Sequence, residues 1–67
     1  MMDGAERIAF SDVEVLDRGG LVLMCRIDGK VVYVPPLRML PGTTVRYSGD
    51  RGTLVLEREL ARDLGLA

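Results

Sequence analysis

The chain contains no histidine, no tryptophan and only one cysteine, Cys25. General acid–base catalysis at neutral pH most often uses histidine. A structural zinc site needs several cysteine or histidine ligands, and one cysteine cannot form a disulfide within the chain. We therefore expect no enzymatic activity, no catalytic residue, and no bound metal ion or cofactor. A single unpaired cysteine is typical of a reducing compartment.

Long apolar runs are also missing. No run approaches the roughly 18 residues that a membrane-spanning helix requires, and Met1–Gly4 is not the basic start of a secretory signal. The sequence predicts a cytoplasmic protein that has no membrane partner.

The 67 residues predict one domain, spanning 1–67. A chain of this length buries only about 60% of the surface that its unfolded form exposes, so small domains usually need disulfides, metals or oligomerisation. Since 48% of the residues are apolar, we expect a homo-oligomer, with another protein as a further candidate partner.

Charge is nearly balanced, at −1 overall, but it is uneven along the chain. Residues 26–51 carry five basic and two acidic side chains. This bias indicates either a basic face or pairing with the acidic first third of the chain, and the sequence leaves both open.

Short runs rich in Val, Leu, Ile, Thr and Tyr alternate with glycine-containing turns, a pattern typical of compact antiparallel β proteins. The expected fold is all-β: a small five-stranded antiparallel barrel, SH3-like or OB-like, with a short C-terminal helix. The predicted strands are Ile8–Leu16, Leu21–Ile27, Lys30–Val34, Thr43–Ser48 and Thr53–Glu57.

The second hairpin has the clearest signal. Asp28–Gly29 is a two-residue loop of the type I′ kind, which needs positive φ at both positions, and it predicts that Ile27 lies opposite Lys30. Alternation then predicts an inward face formed by Leu21, Leu23, Cys25 and Ile27. Cys25 is accordingly expected to be a core side chain.

Prolines explain how the third strand ends. Proline lacks the N–H that a ladder needs, so pairing should stop at Val34, before Pro35. We expect one 3₁₀ turn over 37–40 and then a β-turn at Pro41–Gly42. The fourth and fifth strands should form a hairpin across 49–52.

At the C-terminus the apolar period changes to that of a helix. We predict a helix over 58–64 that closes one end of the barrel, with Gly65 as its C-cap glycine and Leu66 as the apolar contact that follows. Residues 1–6 are expected to be flexible.

Two binding hypotheses follow. Apolar residues on both faces of the second and third strands predict an oligomer interface, formed by Val22, Met24, Val32 and Val34. The alternative is a nucleic-acid-binding or regulatory protein, since single-strand binders combine basic groups with stacking aromatics. Its candidate contacts are Arg26, Lys30, Arg38, Arg46, Tyr33 and Tyr47. The competing interpretation of the tyrosines places their rings inward with the hydroxyl at the rim.

The last two-thirds of the chain resembles a group of short bacterial and phage-borne proteins. These carry a "DGk-v-W-VP" hairpin, then "GdxGtLvv", then a closing "LA-x-x-x-GL" helix; Tyr33 stands where the group has tryptophan. The resemblance implies the small β fold and an association with mobile elements, but no activity. The matching residues are Asp28, Gly29, Val34, Pro35, Gly49, Asp50, Gly52, Thr53, Leu54, Leu60, Ala61, Gly65 and Leu66.

The stretch "GTLVLERELARDLGL" is also similar to the strand-and-helix opening of transition-state-regulator and antitoxin DNA-binding domains. That resemblance implies a dimeric swapped-hairpin barrel. Glu57 and Arg58 replace the proline of that pattern, so no residue role is carried over from it.

Overall fold

The computed structural model describes residues 6–67, so most of the segment predicted to be flexible, 1–6, lies outside the described residues. The described part is mainly β, with four antiparallel strands in one open sheet of order β3-β2-β1-β4. A closed five-stranded barrel does not form among these residues. The elements are β1 (Arg7–Arg18), β2 (Leu23–Ile27), β3 (Lys30–Val34), a 3₁₀ turn (Pro36–Arg38), β4 (Arg51–Glu57) and the helix α1 (Arg58–Asp63).

Strand β1 is longer than the predicted 8–16 and pairs with two different strands. Its first half pairs with β4 and its second half with β2. The register shifts between Phe10 and Val13 against β4, and again between Val15 and Asp17 against β2. Asp12, at the first shift, has φ 56°. Bulges of this kind bend a strand and increase its twist, which lets one strand serve both halves of the sheet.

The β2–β3 hairpin confirms the predicted turn and register. Asp28 and Gly29 have φ of 51° and 79°, as a type I′ turn requires, and Ile27 pairs with Lys30. The inward face contains three of the four predicted residues. Leu21 is the exception: it precedes β2 and is exposed, because the strand begins only at Leu23.

The proline predictions are confirmed. β3 ends at Val34, and one 3₁₀ turn follows, one residue earlier than expected. The N–H of Thr43 donates to the C=O of Leu40 at 3.2 Å across Pro41 and Gly42. Gly42 has φ 104°, the positive value that the third position of a type II turn needs.

The predicted strand 43–48 does not form a regular ladder, although it lies beside β4. The N–H of Thr44 donates to the C=O of Thr53 at 2.9 Å. The return bonds go to side chains, since the hydroxyl oxygens of Thr43 and Thr44 accept from the N–H groups of Val55 at 2.9 Å and Thr53 at 3.0 Å. Threonine side chains compete with ladder bonds in this way. The segment therefore covers the edge of β4 without becoming a strand.

One apolar core lies on the inner face of the sheet. Val45, from the segment beside β4, is fully buried there, although its segment is not a regular strand. The other buried members come from all four strands: Val13, Val15, Leu23, Cys25, Ile27, Val32, Val34, Leu54 and Leu56.

Helix α1 packs against this core and ends as predicted. Leu60, Leu64 and Leu66 are partly buried against the core cluster. Gly65 has φ 81°. The N–H of Gly65 donates to the C=O of Arg62 at 3.0 Å, and the N–H of Leu66 donates to the C=O of Ala61 at 2.8 Å. These two bonds are those of a Schellman C-cap. No helix within residues 6–67 is long and apolar enough to cross a membrane.

Candidate binding surface

The outer face of the β2–β3 hairpin exposes apolar side chains. Cross-strand partners lie on the same face of a sheet, and Met24 pairs with Tyr33 while Arg26 pairs with Val31. Val31 is 50% exposed and Tyr33 is 58% exposed, whereas Met24 is half-buried. We call Met24, Val31 and Tyr33 the outer patch. Its members cover one side of two adjacent strands.

The structure divides the predicted interface residues between two places. Val32 is 7% exposed and Val34 is 0% exposed, because both point from β3 into the core. These two valines are therefore unavailable to a second chain at the surface. Met24 belongs to the outer patch, and Val22 is half-buried just before β2. Val31 and Tyr33 replace the two core valines as the accessible apolar residues of β3.

A charged row borders the outer patch. Glu14 pairs in the sheet with both Arg26 and Arg51, and its carboxylate lies 3.3 Å from the Arg26 guanidinium and 3.8 Å from that of Arg51. All three side chains are partly exposed to solvent, so each pair contributes well under about 1 kcal/mol. The row gives the apolar patch a polar rim, as protein interfaces commonly have.

An open cleft of about 520 Å³ lies where β1 bends, beside the Asp28–Gly29 turn. Its ionisable lining consists of three carboxylates and two guanidinium groups, the latter from the charged row: Asp12, Glu14, Asp28, Arg26 and Arg51. This balance is net negative, so the cleft does not favour a phosphate group.

The predicted basic contacts are spread over the molecule. Arg38 lies 3.3 Å from the carboxylate of Glu57. The ammonium group of Lys30 donates to the C=O of Gly65 at 2.7 Å, at the C-terminal end of α1, where a cation interacts favourably with the helix dipole. Arg26 lies in the charged row. The structure therefore does not gather these side chains into one basic face, and two of the arginines lie against glutamates.

Both tyrosines are exposed, so the inward interpretation is wrong. Tyr33 lies in the outer patch, and Tyr47 is 65% exposed in the turn before β4. The guanidinium of Arg18 lies 5.6 Å from the centre of the Tyr47 ring and donates to the C=O of Arg46 at 2.6 Å. The two rings thus belong to different parts of the surface, and the Tyr47 ring lies within cation–π distance of Arg18, an arginine that the sequence did not single out.

Asp50 organises the turn that carries Tyr47. Its carboxylate accepts from the N–H groups of Arg46 and Tyr47, each at 2.9 Å. These bonds favour the ionised form, so they lower the pKa of Asp50, the bond from Arg46 first. The C=O of Asp50 also accepts from the N–H of Val15 at 2.8 Å. The turn is therefore joined to β1 through the backbone of Asp50. The carboxylate of Asp50 binds the N–H groups of Arg46 and Tyr47, so these two groups do not take part in a β ladder.

Cys25 is a core residue, as predicted. It is fully buried, and burial raises the pKa of its thiol. A protonated, inaccessible thiol reacts slowly. Among residues 6–67, no group of three or more His, Cys, Asp or Glu side chains could hold a metal ion.

The arrangement offers an apolar surface with a charged rim, on a hairpin whose register is fixed by its turn. Comparisons with family models, curated proteins and solved structures give no match for this chain.

Proposed function

We propose that the protein is a non-enzymatic binding and assembly module that associates with a second copy of itself through the outer patch. The observation that carries the proposal is the exposure of Val31 and Tyr33 on the third strand, while the valines between and beside them fill the core. We propose a small SH3-like or OB-like arrangement for this module; the position of β1 between β2 and β4 supports either.

The chemistry of the outer patch supports association with protein. Tyrosine, methionine and arginine are enriched at protein interfaces, where an apolar centre has a polar rim. Here Met24 and Tyr33 form the centre together with Val31, and the charged row forms the rim. Burial of this surface adds buried apolar area to a short chain, which by itself buries a smaller fraction of its surface than a longer chain does.

The test is the mass in solution, measured by size-exclusion chromatography with light scattering. The unmodified protein should run at a multiple of 7.4 kDa. Tyr33→Glu should return it to the monomer mass, because a charge would have to be buried in the interface. Tyr47→Glu is the matched control, since that ring is similarly exposed but lies outside the outer patch. Circular dichroism confirms that both variants are folded.

A monomeric wild-type protein across the micromolar range, or a Tyr33→Glu variant of unchanged mass, would overturn the proposal.

The same chromatography run also tests the alternative function, nucleic-acid binding. The feature that supports this alternative is the position of Arg26 and Tyr33 on one face of the sheet. Without tryptophan the chain absorbs weakly at 280 nm, so nucleic acid that copurifies would dominate the absorbance at 260 nm. Its loss at high salt would identify phosphate contacts.

A further inference from the structure

Among the described residues, β3 is the uncovered edge of the sheet. At the opposite edge, the segment before β4 supplies bonds to that strand: the N–H groups of Leu40 and Thr44 donate to the C=O groups of Val55 and Thr53, both at 2.9 Å. Within residues 6–67, no segment pairs with β3 on the side away from β2. The described part of the fold therefore covers one edge of the sheet and leaves the other open.

The register shows which backbone groups face that open edge. In a hairpin with a two-residue turn, the residues that flank the turn form a hydrogen-bonded pair, and bonded and non-bonded pairs alternate from there. Ile27 and Lys30 flank the turn. Lys30, Val32 and Val34 thus direct their N–H and C=O groups toward β2. Val31 and Tyr33 direct theirs toward the open edge, and the same two residues expose apolar side chains.

Proteins usually protect an edge strand with an internal charge, a proline or a bulge. The three central residues of β3, 31–33, have none of these. Lys30, the one charged residue of the strand, lies at its start and donates to the C=O of Gly65. Pro35 comes only after the strand has ended. The centre of the edge is open to another strand.

We infer that β3 pairs in antiparallel fashion with β3 of a second copy, about a twofold axis at Val32. This inference rests on the proposed self-association but places the contact at the edge of β3, where the outer patches of the two copies lie side by side instead of packing face to face. Val31 and the partner's Tyr33 would exchange N–H···O=C bonds, and Tyr33 would do the same with the partner's Val31, giving four bonds in all. Pairs of an aromatic and a β-branched residue across strands are favourable, and both pairs lie in the outer patch.

Charge also favours a second copy. In this register Lys30 lies opposite the partner's Val34, so the two lysines lie four residue positions apart along the paired strands. At about 3.3 Å per residue their separation is roughly 13 Å, which exceeds the screening length of about 8 Å at physiological ionic strength. The sequence 31–33 is thus complementary to itself, and the repulsion between the two lysines is largely screened.

Val31→Pro tests the pairing directly. The N–H of Val31 faces the open edge, so proline removes no bond within the protomer, and edge strands tolerate proline at such positions. Across the twofold axis it removes two of the four bonds. We expect the variant to keep its circular dichroism spectrum and to run at 7.4 kDa. Val31→Thr, which retains both the N–H and the branched shape, should keep the oligomer mass.

Amide hydrogen exchange of the wild-type protein gives a second readout that needs no variant. On dilution to the monomer, the amides of Val31 and Tyr33 should lose protection, while the amide of Val32, bonded to β2, should keep it. An oligomer whose Val31 and Tyr33 amides are unprotected, or a Val31→Pro variant of unchanged mass, would overturn the edge pairing but leave face-to-face association through the outer patch. A monomeric wild-type protein would overturn both.

Discussion

Removing one hydroxyl group, by Thr43→Val, should measurably destabilise the protein. The Thr43 oxygen accepts from the N–H of Val55 at 2.9 Å, and Val55 is buried. Valine has nearly the same shape as threonine, so packing is retained; the acceptor is lost, together with the longer bond of 3.5 Å that the hydroxyl donates to the C=O of Val55. Leaving a buried donor without its partner costs about 1–3 kcal/mol.

The magnitude can be converted to a melting temperature. Unfolding entropy is about 2.1 cal/mol/K per residue, or about 140 cal/mol/K for 67 residues. Each kcal/mol then lowers the Tm by about 7 °C, so we expect a fall of roughly 7–20 °C. Thermal unfolding followed by circular dichroism, at one fixed protein concentration, measures it.

Two variants separate the hydroxyl group from other effects. Thr43→Ser keeps the acceptor and should retain most of the stability. Thr44→Val removes the acceptor of a more exposed N–H, that of Thr53, so its effect should lie at the lower end of the range. If Thr43→Val melts at or above the wild-type temperature while Thr43→Ser melts lower, the methyl group matters and the hydroxyl bond does not.

Three further predictions follow from single residues. Gly52→Ala should destabilise the fold by about 1–3 kcal/mol, because the new Cβ would lie 2.4 Å from the Thr44 hydroxyl oxygen. Urea unfolding measures the change, and Gly20→Ala is the control, since a Cβ at Gly20 meets nothing within 4 Å. Asp50→Asn should reduce stability at neutral pH, and the difference from wild type should shrink in acid. Since the pKa of Asp50 is lowered in the folded protein, its contribution is complete above the unfolded value of about 3.9 and is lost as pH falls through the folded value; a difference independent of pH would contradict this. Cys25 should react with a thiol reagent slowly in buffer and rapidly in urea, because burial raises its pKa and blocks access; rapid labelling of the native protein would contradict the core assignment.

Local signals in the sequence predicted the hairpin, the proline stop and the helix cap correctly. Each depends on one or two residues whose backbone preferences are strong, as at Asp28–Gly29 and Gly65. The predicted register also implies which residues of β3 are accessible. With Ile27 opposite Lys30, Arg26 lies opposite Val31 and Met24 lies opposite Tyr33, and both pairs share the outer face. Val32 and Val34 then lie on the inner face, so the prediction that they form an interface is inconsistent with the predicted register.

The fate of segment 43–48 could not be read from alternation. Thr43 and Thr44 have high β-propensity, yet their hydroxyls supply the bonds that carbonyl groups would supply in a ladder. Asp50 takes two further N–H groups of the same segment. Side-chain competition of this kind depends on where β4 lies in three dimensions, so a period-two pattern alone predicts a strand.

The two partners of β1 have a consequence for the order of folding. The β2–β3 hairpin joins residues close in sequence, whereas β1 and β4 bring together Arg7 and Glu57, 50 positions apart. Closing the longer loop costs more entropy, at about 0.6 kcal/mol per doubling of length, and nonlocal pairing slows folding. The first half of β1 should therefore gain its partner last, after the hairpin and the second half have formed. In kinetic experiments, substitutions in the turn at Asp28–Gly29 should slow folding, and substitutions where β4 meets β1 should mainly speed unfolding.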